Sequence, residues 1–143
     1  MKVRHVGITI TDLEKSIWFY EEILGFKTVK EMDESGDHID KFSGLDSVDV
    51  RTVKMKGSDG SMIELLHYRS HPEVNTSNLK EKINKIGCSH FALTVPDLGQ
   101  LYDKLIDNSC FVMCEPQPSP DGKVMLTFCR DPDGSLIELV EEL

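Results

Sequence analysis

DGSLIELVE, residues 133–141, is written a second time in the chain as DGSMIELLH, residues 59–67, with Glu64 falling on Glu138 at a shift of 74 residues. A strand alternates its side chains between two faces. In the later copy Leu136, Glu138 and Val140 therefore share one face, and Ile137 and Leu139 the other. A carboxylate in so apolar a strand demands a partner, because sequestering it alone costs several kcal/mol or forces it to neutralise.

A second duplication lies upstream of each copy. HVGITITDL at 5–13 aligns with HFALTVPDL at 90–98 at a shift of 85 residues, matching His5 with His90, Thr9 with Thr94, Asp12 with Asp97 and Leu13 with Leu98. Each half thus begins with a His strand and ends with a Glu strand, and the first half carries 11 extra residues between them. Repeats fix an architecture before any single element does. Here they predict one domain over 1–143 made of two modules, the first about 1–70 and the second about 88–143, joined by a linker at 71–87.

Within module one, Val6, Ile8 and Ile10 alternate with His5, Gly7 and Thr9. A helix follows, with Thr11 and Glu14 fitting a capping box, a stripe of Leu13, Ile17, Tyr20 and Leu24, and Gly25 suited to the left-handed position past its end. FKTVKEM at 26–32, VDVRTVKM at 48–55 and SMIELLHY at 61–68 read as three further strands. Module two repeats the βαβββ order: a strand at 88–95, a helix from Asp97 that buries Leu98, Leu101 and Leu105, and strands near 111–115, 123–130 and 135–141. The linker segment NTSNLKEKINKIG spaces Leu79, Ile83 and Ile86 as a short helix ending at Gly87. The fold class is α+β, a cupped mixed sheet with helices on its outer face.

The aliphatic faces of the His and Glu strands match one another and should pack on the helices. His5, His90, Glu64 and Glu138 then lie on the uncovered side. Two imidazoles and two carboxylates offset the charge of a divalent cation and tolerate Zn, Ni, Co, Fe or Mn, whereas an all-oxygen set favours Mg or Ca. Four ligands leave two positions open in octahedral geometry, a Lewis-acid site. His38 in a polar loop, His67 on the opposite strand face and His71 in the linker read as surface or structural residues.

At 143 residues, 39% hydrophobic and 29% charged, the chain has the size of a single globular domain. Its net charge of -9 opposes nonspecific nucleic-acid binding, which needs clustered Lys and Arg. No apolar run suits a membrane span or a signal peptide, so the expectation is a soluble, cytoplasmic protein with no membrane partner. Cys88, Cys110, Cys114 and Cys129 form no C-x-x-C pair and read as reduced, buried or half-buried thiols. Arg51, Lys54, Lys123 and Arg130 are the cations expected near the cup, most simply as solvated side chains, with an anchor for an anionic substrate group as the functional alternative. The polar stretch DESGDHIDKFSGLDSVD at 33–49 holds most of the extra length of module one; it reads as a flexible surface loop, with a lid over the cup as the functional alternative.

HVGITITDLEKSIWFYEEILGF, SHFALTVPDL and DPDGSLIELVEEL together resemble the vicinal oxygen chelate superfamily, which includes glyoxalase I, methylmalonyl-CoA epimerase, extradiol dioxygenases and fosfomycin or bleomycin resistance proteins. The resemblance covers nearly the whole chain, and the metal positions of that family map onto His5, Glu64, His90 and Glu138. The four-ligand pattern and the ending are most similar to glyoxalase I, and the linker is similar to that of the epimerase. Glutathione-using bacterial relatives commonly carry an arginine where this chain has Thr9. The resemblance implies a divalent-metal-dependent lyase or isomerase acting on a small molecule, moving a proton next to a carbonyl through a metal-bound enediolate, in a homodimer. It implies Glu138 as the base, released on substrate binding, with Glu64 as the alternative or second base. An epimerase of the methylmalonyl-CoA type is the nearest alternative activity, and a non-catalytic, resistance-type binding protein is the alternative of another class.

Overall fold

The structure is a computed structural model that describes residues 1–73, 83–84 and 86–143. The helix predicted in the linker, with Leu79, lies outside the described residues. The chain divides into two compact units, Met1–Thr76 and Ser77–Leu143. In unit one the order is β1 (Val6–Thr9), α1 (Leu13–Trp18) running on into a π-helical turn (Phe19–Ile23), β2 (Lys27–Ser35), α2 (Asp37–Ser43), β3 (Asp49–Lys56) and β4 (Met62–Tyr68). Unit two holds β5 (Phe91–Thr94), α3 (Leu98–Asp107), β6 (Gln117–Pro118), β7 (Val124–Arg130) and β8 (Leu136–Glu142).

Each unit builds one four-stranded mixed sheet, ordered β1-β4-β3-β2 in the first and β5-β8-β7-β6 in the second. The His strand runs parallel to the Glu strand in both, and the remaining pairs are antiparallel. Gly7 stands opposite Glu64 and Ala92 opposite Glu138. The two sequence shifts therefore survive as one shared register. Alternation then sorts the faces: Ile63, Leu65, Ile137 and Leu139 are buried with at most 2% exposure, while Glu64 and Glu138 on the other face are only half-buried. Burying each such aliphatic side chain is worth about 1.5–3 kcal/mol, so a one-residue slip that turned these faces over is strongly disfavoured.

The helices depart from the reading in two instructive ways. The cap of α1 is Asp12, whose Oδ1 accepts from Lys15 N at 3.0 Å, in place of a Thr11–Glu14 box. Asp97, its partner in the repeat, does the same for Gln100 N at 2.8 Å at the start of α3. The buried stripe of the first helix is Ser16, Phe19, Tyr20 and Ile23; Leu13, Ile17 and Leu24 are half-exposed, so only Tyr20 of the expected stripe is buried. That stripe is an i, i+3, i+4, i+7 face offset from the expected one by about one residue, and the helix then ends in a π-helical turn in which Leu24 N donates to Phe19 O at 3.1 Å. The extra residue in that turn shifts Leu24 out of the 3.6 period. Gly25 closes the element at φ 78°, a conformation that favours glycine. In α3, Leu98 and Leu105 are buried and Leu101 is half-buried.

Two loop readings are also corrected. The stretch 33–49 is ordered: β2 continues to Ser35, 37–43 are helical, and both carboxylate oxygens of Asp40 accept backbone N–H groups, from Ser47 at 2.9 Å and Val48 at 2.8 Å. The strand expected near 111–115 shrinks to a single antiparallel bridge between Val112 and Cys129, and the pairing that follows is the two-residue β6. Pro116 and Pro118 have no N–H to give a ladder, which is why module two has only a vestige of the long β2.

Candidate metal centre

The residue before each His strand supplies an imidazole, and the third residue of each Glu strand supplies a carboxylate. Because Gly7 and Ala92, the residues opposite the two glutamates, are the smallest side chains available, the neighbouring imidazole can lean across to the acid. His5 Nε2 lies 3.1 Å from Glu64 Oε2 in unit one, and His90 Nε2 lies 3.3 Å from Glu138 Oε2 in unit two. Both pairs stay reachable from solvent: the histidine side chains are 34% and 33% exposed, and the glutamates 14% and 23%.

These separations are those of a hydrogen bond or ion pair, and they also suit two donors on one cation. With metal–nitrogen and metal–oxygen bonds of about 2.1 Å, two ligands at a right angle stand about 3.0 Å apart, and at a tetrahedral angle about 3.4 Å. The donor set therefore fits a divalent ion pair by pair. Ser89 Oγ lies 2.9 Å from His90 Nδ1; in the tautomer in which Nδ1–H donates to the serine, Nε2 presents the lone pair a metal needs. The structure brings together His5 with Glu64, and His90 with Glu138. Among the described residues, no group of three or more His, Cys, Asp or Glu side chains is close enough to hold a metal ion.

The surroundings of the two pairs differ. Lys54 stands opposite Glu64 in the β3–β4 ladder and puts Nζ 3.4 Å from Glu64 Oε1. The matching position opposite Glu138 is Phe128, whose ring meets the His90 imidazole edge-on at a centroid distance of 5.4 Å. Neither contact was foreseen in the sequence, where Lys54 was only one of four nearby cations. The signal was available: the 74-residue shift that aligns the glutamates also aligns Lys54 with Phe128.

Two of the other three expected cations are engaged by partners instead of being simply solvated. Arg51 bonds Glu31 at 2.6 Å and Asp33 at 2.7 Å, and these acids, Glu31 foremost, raise its pKa above the ordinary arginine value. Arg130 is 5% exposed, donates from Nη1 to Gly134 O at 2.6 Å and lies over the Phe111 ring. Lys123, mostly exposed, alone fits the expectation, 3.7 Å from Asp121. Of the cysteines, Cys129 is buried and Cys110 half-buried, but Cys88 and Cys114 are exposed, against the reading; all four are free thiols. His38 and His71 are exposed, the former against the Phe42 ring and the latter 2.8 Å from Ser70 Oγ, and His67 is half-buried.

Comparison with known proteins agrees with this architecture. A protein from Synechocystis sp. named "Probable lactoylglutathione lyase" is 32% identical over 142 residues, covering 99% of this chain and 95% of that protein. The lactoylglutathione lyase of Escherichia coli O157:H7 is 29% identical over 144 residues, with 99% and 93% covered. Among solved structures, a glyoxalase family protein from Bacillus cereus superposes with a TM-score of 0.89 at 26% identity, covering 100% of this chain and 95% of that one. The glyoxalase I of Leishmania major gives 0.68 at 25% identity, covering 99% and 87%. Relatives matched over their whole length and named as lyases make this chain a glyoxalase-like enzyme. The Glyoxalase/Bleomycin resistance protein/Dioxygenase superfamily model matches residues 2–139, and the chain belongs to that family.

Proposed function

We propose that the protein is a divalent-metal-dependent lyase or isomerase of the glyoxalase I type, in which His5, Glu64, His90 and Glu138 jointly hold one ion. What supports this is the pair of His–Glu contacts at the same register in both units, each at a separation that suits two ligands on one ion. When bound, a divalent ion supplies Lewis acidity toward a substrate carbonyl oxygen. Zn, Ni, Co, Fe and Mn all suit the two-imidazole, two-carboxylate set.

The work left to the protein is proton transfer. Glu138 removes the proton from the carbon beside the carbonyl and returns it to the neighbouring carbon, and Glu64 is the second carboxylate within the same ligand set. A base positioned in this way contributes roughly 10²–10⁴-fold to rate. The substrate is a small 2-oxoaldehyde in the form of a thiol adduct, the class that the name lactoylglutathione lyase describes in the relatives. The enzyme acts in the cytoplasm as a homodimer. Among the described residues, no helix is long and apolar enough to cross a membrane.

The test couples metal analysis to assays. Purified protein should carry about one divalent ion per chain, lose turnover of methylglyoxal plus thiol on chelation, and recover it when the ion is restored. Activity on methylmalonyl-CoA in place of the thiol adduct would reassign the enzyme as an epimerase. Absence of metal uptake, with ligand retained but unchanged, would overturn the enzymatic reading in favour of a resistance-type binding protein. Light scattering at twice the chain mass checks the dimer.

A further inference from the structure

The two carboxylates differ in what engages their second oxygen. Glu64 is held at both ends, Oε2 toward His5 Nε2 at 3.1 Å and Oε1 toward Lys54 Nζ at 3.4 Å. Glu138 directs Oε2 to His90 Nε2 at 3.3 Å, and its neighbour across the ladder is Phe128, a ring with no hydrogen bond to donate. An ammonium one carboxylate away from a divalent ion does two things. It occupies the oxygen that would let the acid bind the ion with both, and its charge opposes the ion's own. Lys54 is 30% exposed, which screens the repulsion without removing it.

We infer that Lys54 is a positioning residue that tethers Glu64 Oε1, confining Glu64 to a single-oxygen contact with the divalent ion and limiting the ion's affinity. Glu138 receives no such tether from the matching position, where Phe128 stands. The two His–Glu pairs are thereby made unequal at this ladder position, with an ammonium beside one acid and a phenyl ring beside the other. This rests on the reading that the His–Glu pairs hold a divalent ion.

Chelator-competition titration with Zn²⁺ alone, on the purified full chain, tests it without any assay of turnover. Lys54→Met should bind Zn²⁺ about tenfold more tightly than the wild type, because both the tether and the opposing charge are gone. Lys54→Arg, which keeps a donor and a charge, should stay within about twofold of the wild type by the same argument. A merely structural lysine would give the opposite sign, since loosening the site weakens binding. Unchanged or weaker affinity in Lys54→Met, with a wild type that binds Zn²⁺, overturns this inference and leaves the proposed function standing. A wild type that binds no Zn²⁺ or other divalent ion overturns both.

Discussion

Units one and two share a register but not an environment, and the contrast shows what duplication preserves. The positions that repeat are those that set backbone pairing and donor placement: His5 and His90, Gly7 and Ala92, Glu64 and Glu138, and the capping Asp12 and Asp97. The positions that diverge surround them. Lys54 has become Phe128, and the turn before the Glu strand, exposed in unit one, is buried in unit two, where Asp131 and Asp133 are 2% and 7% exposed. Geometry is duplicated, while the local field is specialised.

The sharpest way to break this contrast is to remove each acid in turn. Glu138→Gln should lower kcat by roughly 10²–10⁴ while circular dichroism shows the fold intact. Glu64→Gln should act first on metal affinity, so that excess divalent ion restores much of its rate. Equal, metal-insensitive losses would mean that the two units are functionally alike.

A second comparison uses Met55 and Cys129, which occupy the same register and are both fully buried. Cys129 reports on this position because burial, before any neighbouring group, pushes its thiol up to about 12. Only the thiolate attacks thiol reagents. At pH 8 Cys129 should therefore be modified at least about a thousandfold more slowly than exposed Cys88, and react fully only after unfolding. The sign of the linkage is that of a raised pKa: the neutral thiol's contribution to stability is complete below the unfolded value near 8.5, and is lost as pH rises from there through about 12. Rapid labelling of the native protein would mean that the core of unit two is more open than that of unit one.

Leu65→Ala and Leu139→Ala sharpen the likeness. Both side chains are wholly buried at equivalent positions, and each truncation should cost about 2–5 kcal/mol in denaturant unfolding. A large disparity would show that only one unit carries the cooperative core.

The smallest effects belong to the turns. Asp131 Oδ1 accepts from Ser135 N at 2.7 Å and Asp133 N at 3.1 Å inside a buried loop. Asp131→Ala strands those donors, at about 1–3 kcal/mol. Its counterpart turn uses Asp59, which accepts from Ser61 Oγ at 2.7 Å and Ser61 N at 2.9 Å in the open. Asp59→Ala should shift the melting temperature much less. These bonds, the Ser61 hydroxyl first, hold the Asp59 carboxyl below the usual range. Its small contribution is present above the unfolded value near 3.9 and is lost as pH falls through the lower, folded one. Thermal melts from pH 6 to 2 should show Asp59→Ala and the wild type converging at the acid end.

Much of this was legible because alternation and repetition are local or self-referential signals. Glu64 and Glu138 stood out as charges in apolar strands, and the duplication placed a His strand beside each; what the structure shows of the expected four-residue set is its two His–Glu pairs. What escaped depended on tertiary context. The first helix offers two apolar stripes, Leu13–Ile17–Tyr20–Leu24 and Ser16–Phe19–Tyr20–Ile23, and only the packed sheet decides which is buried. Arg130 is buried by the folded turn that Gly134 and Asp131 complete, and no strand pattern announces a buried cation. The helix at 37–43 was hidden by its polar composition, since its order comes from the Asp40 carboxylate and from glycines on both sides, Gly36 and Gly44, with little burial of its own.

That Asp40 clasp has an evolutionary consequence. By fastening the far end of the excursion to its own helix, it makes the hairpin's crest a self-contained cassette whose shape asks nothing of the sheet face that carries Glu64. Such a crest can be lengthened, shortened or traded among descendants while β2 and β3 keep their pairing, giving selection a place to experiment that does not disturb the strands bearing the His–Glu pairs.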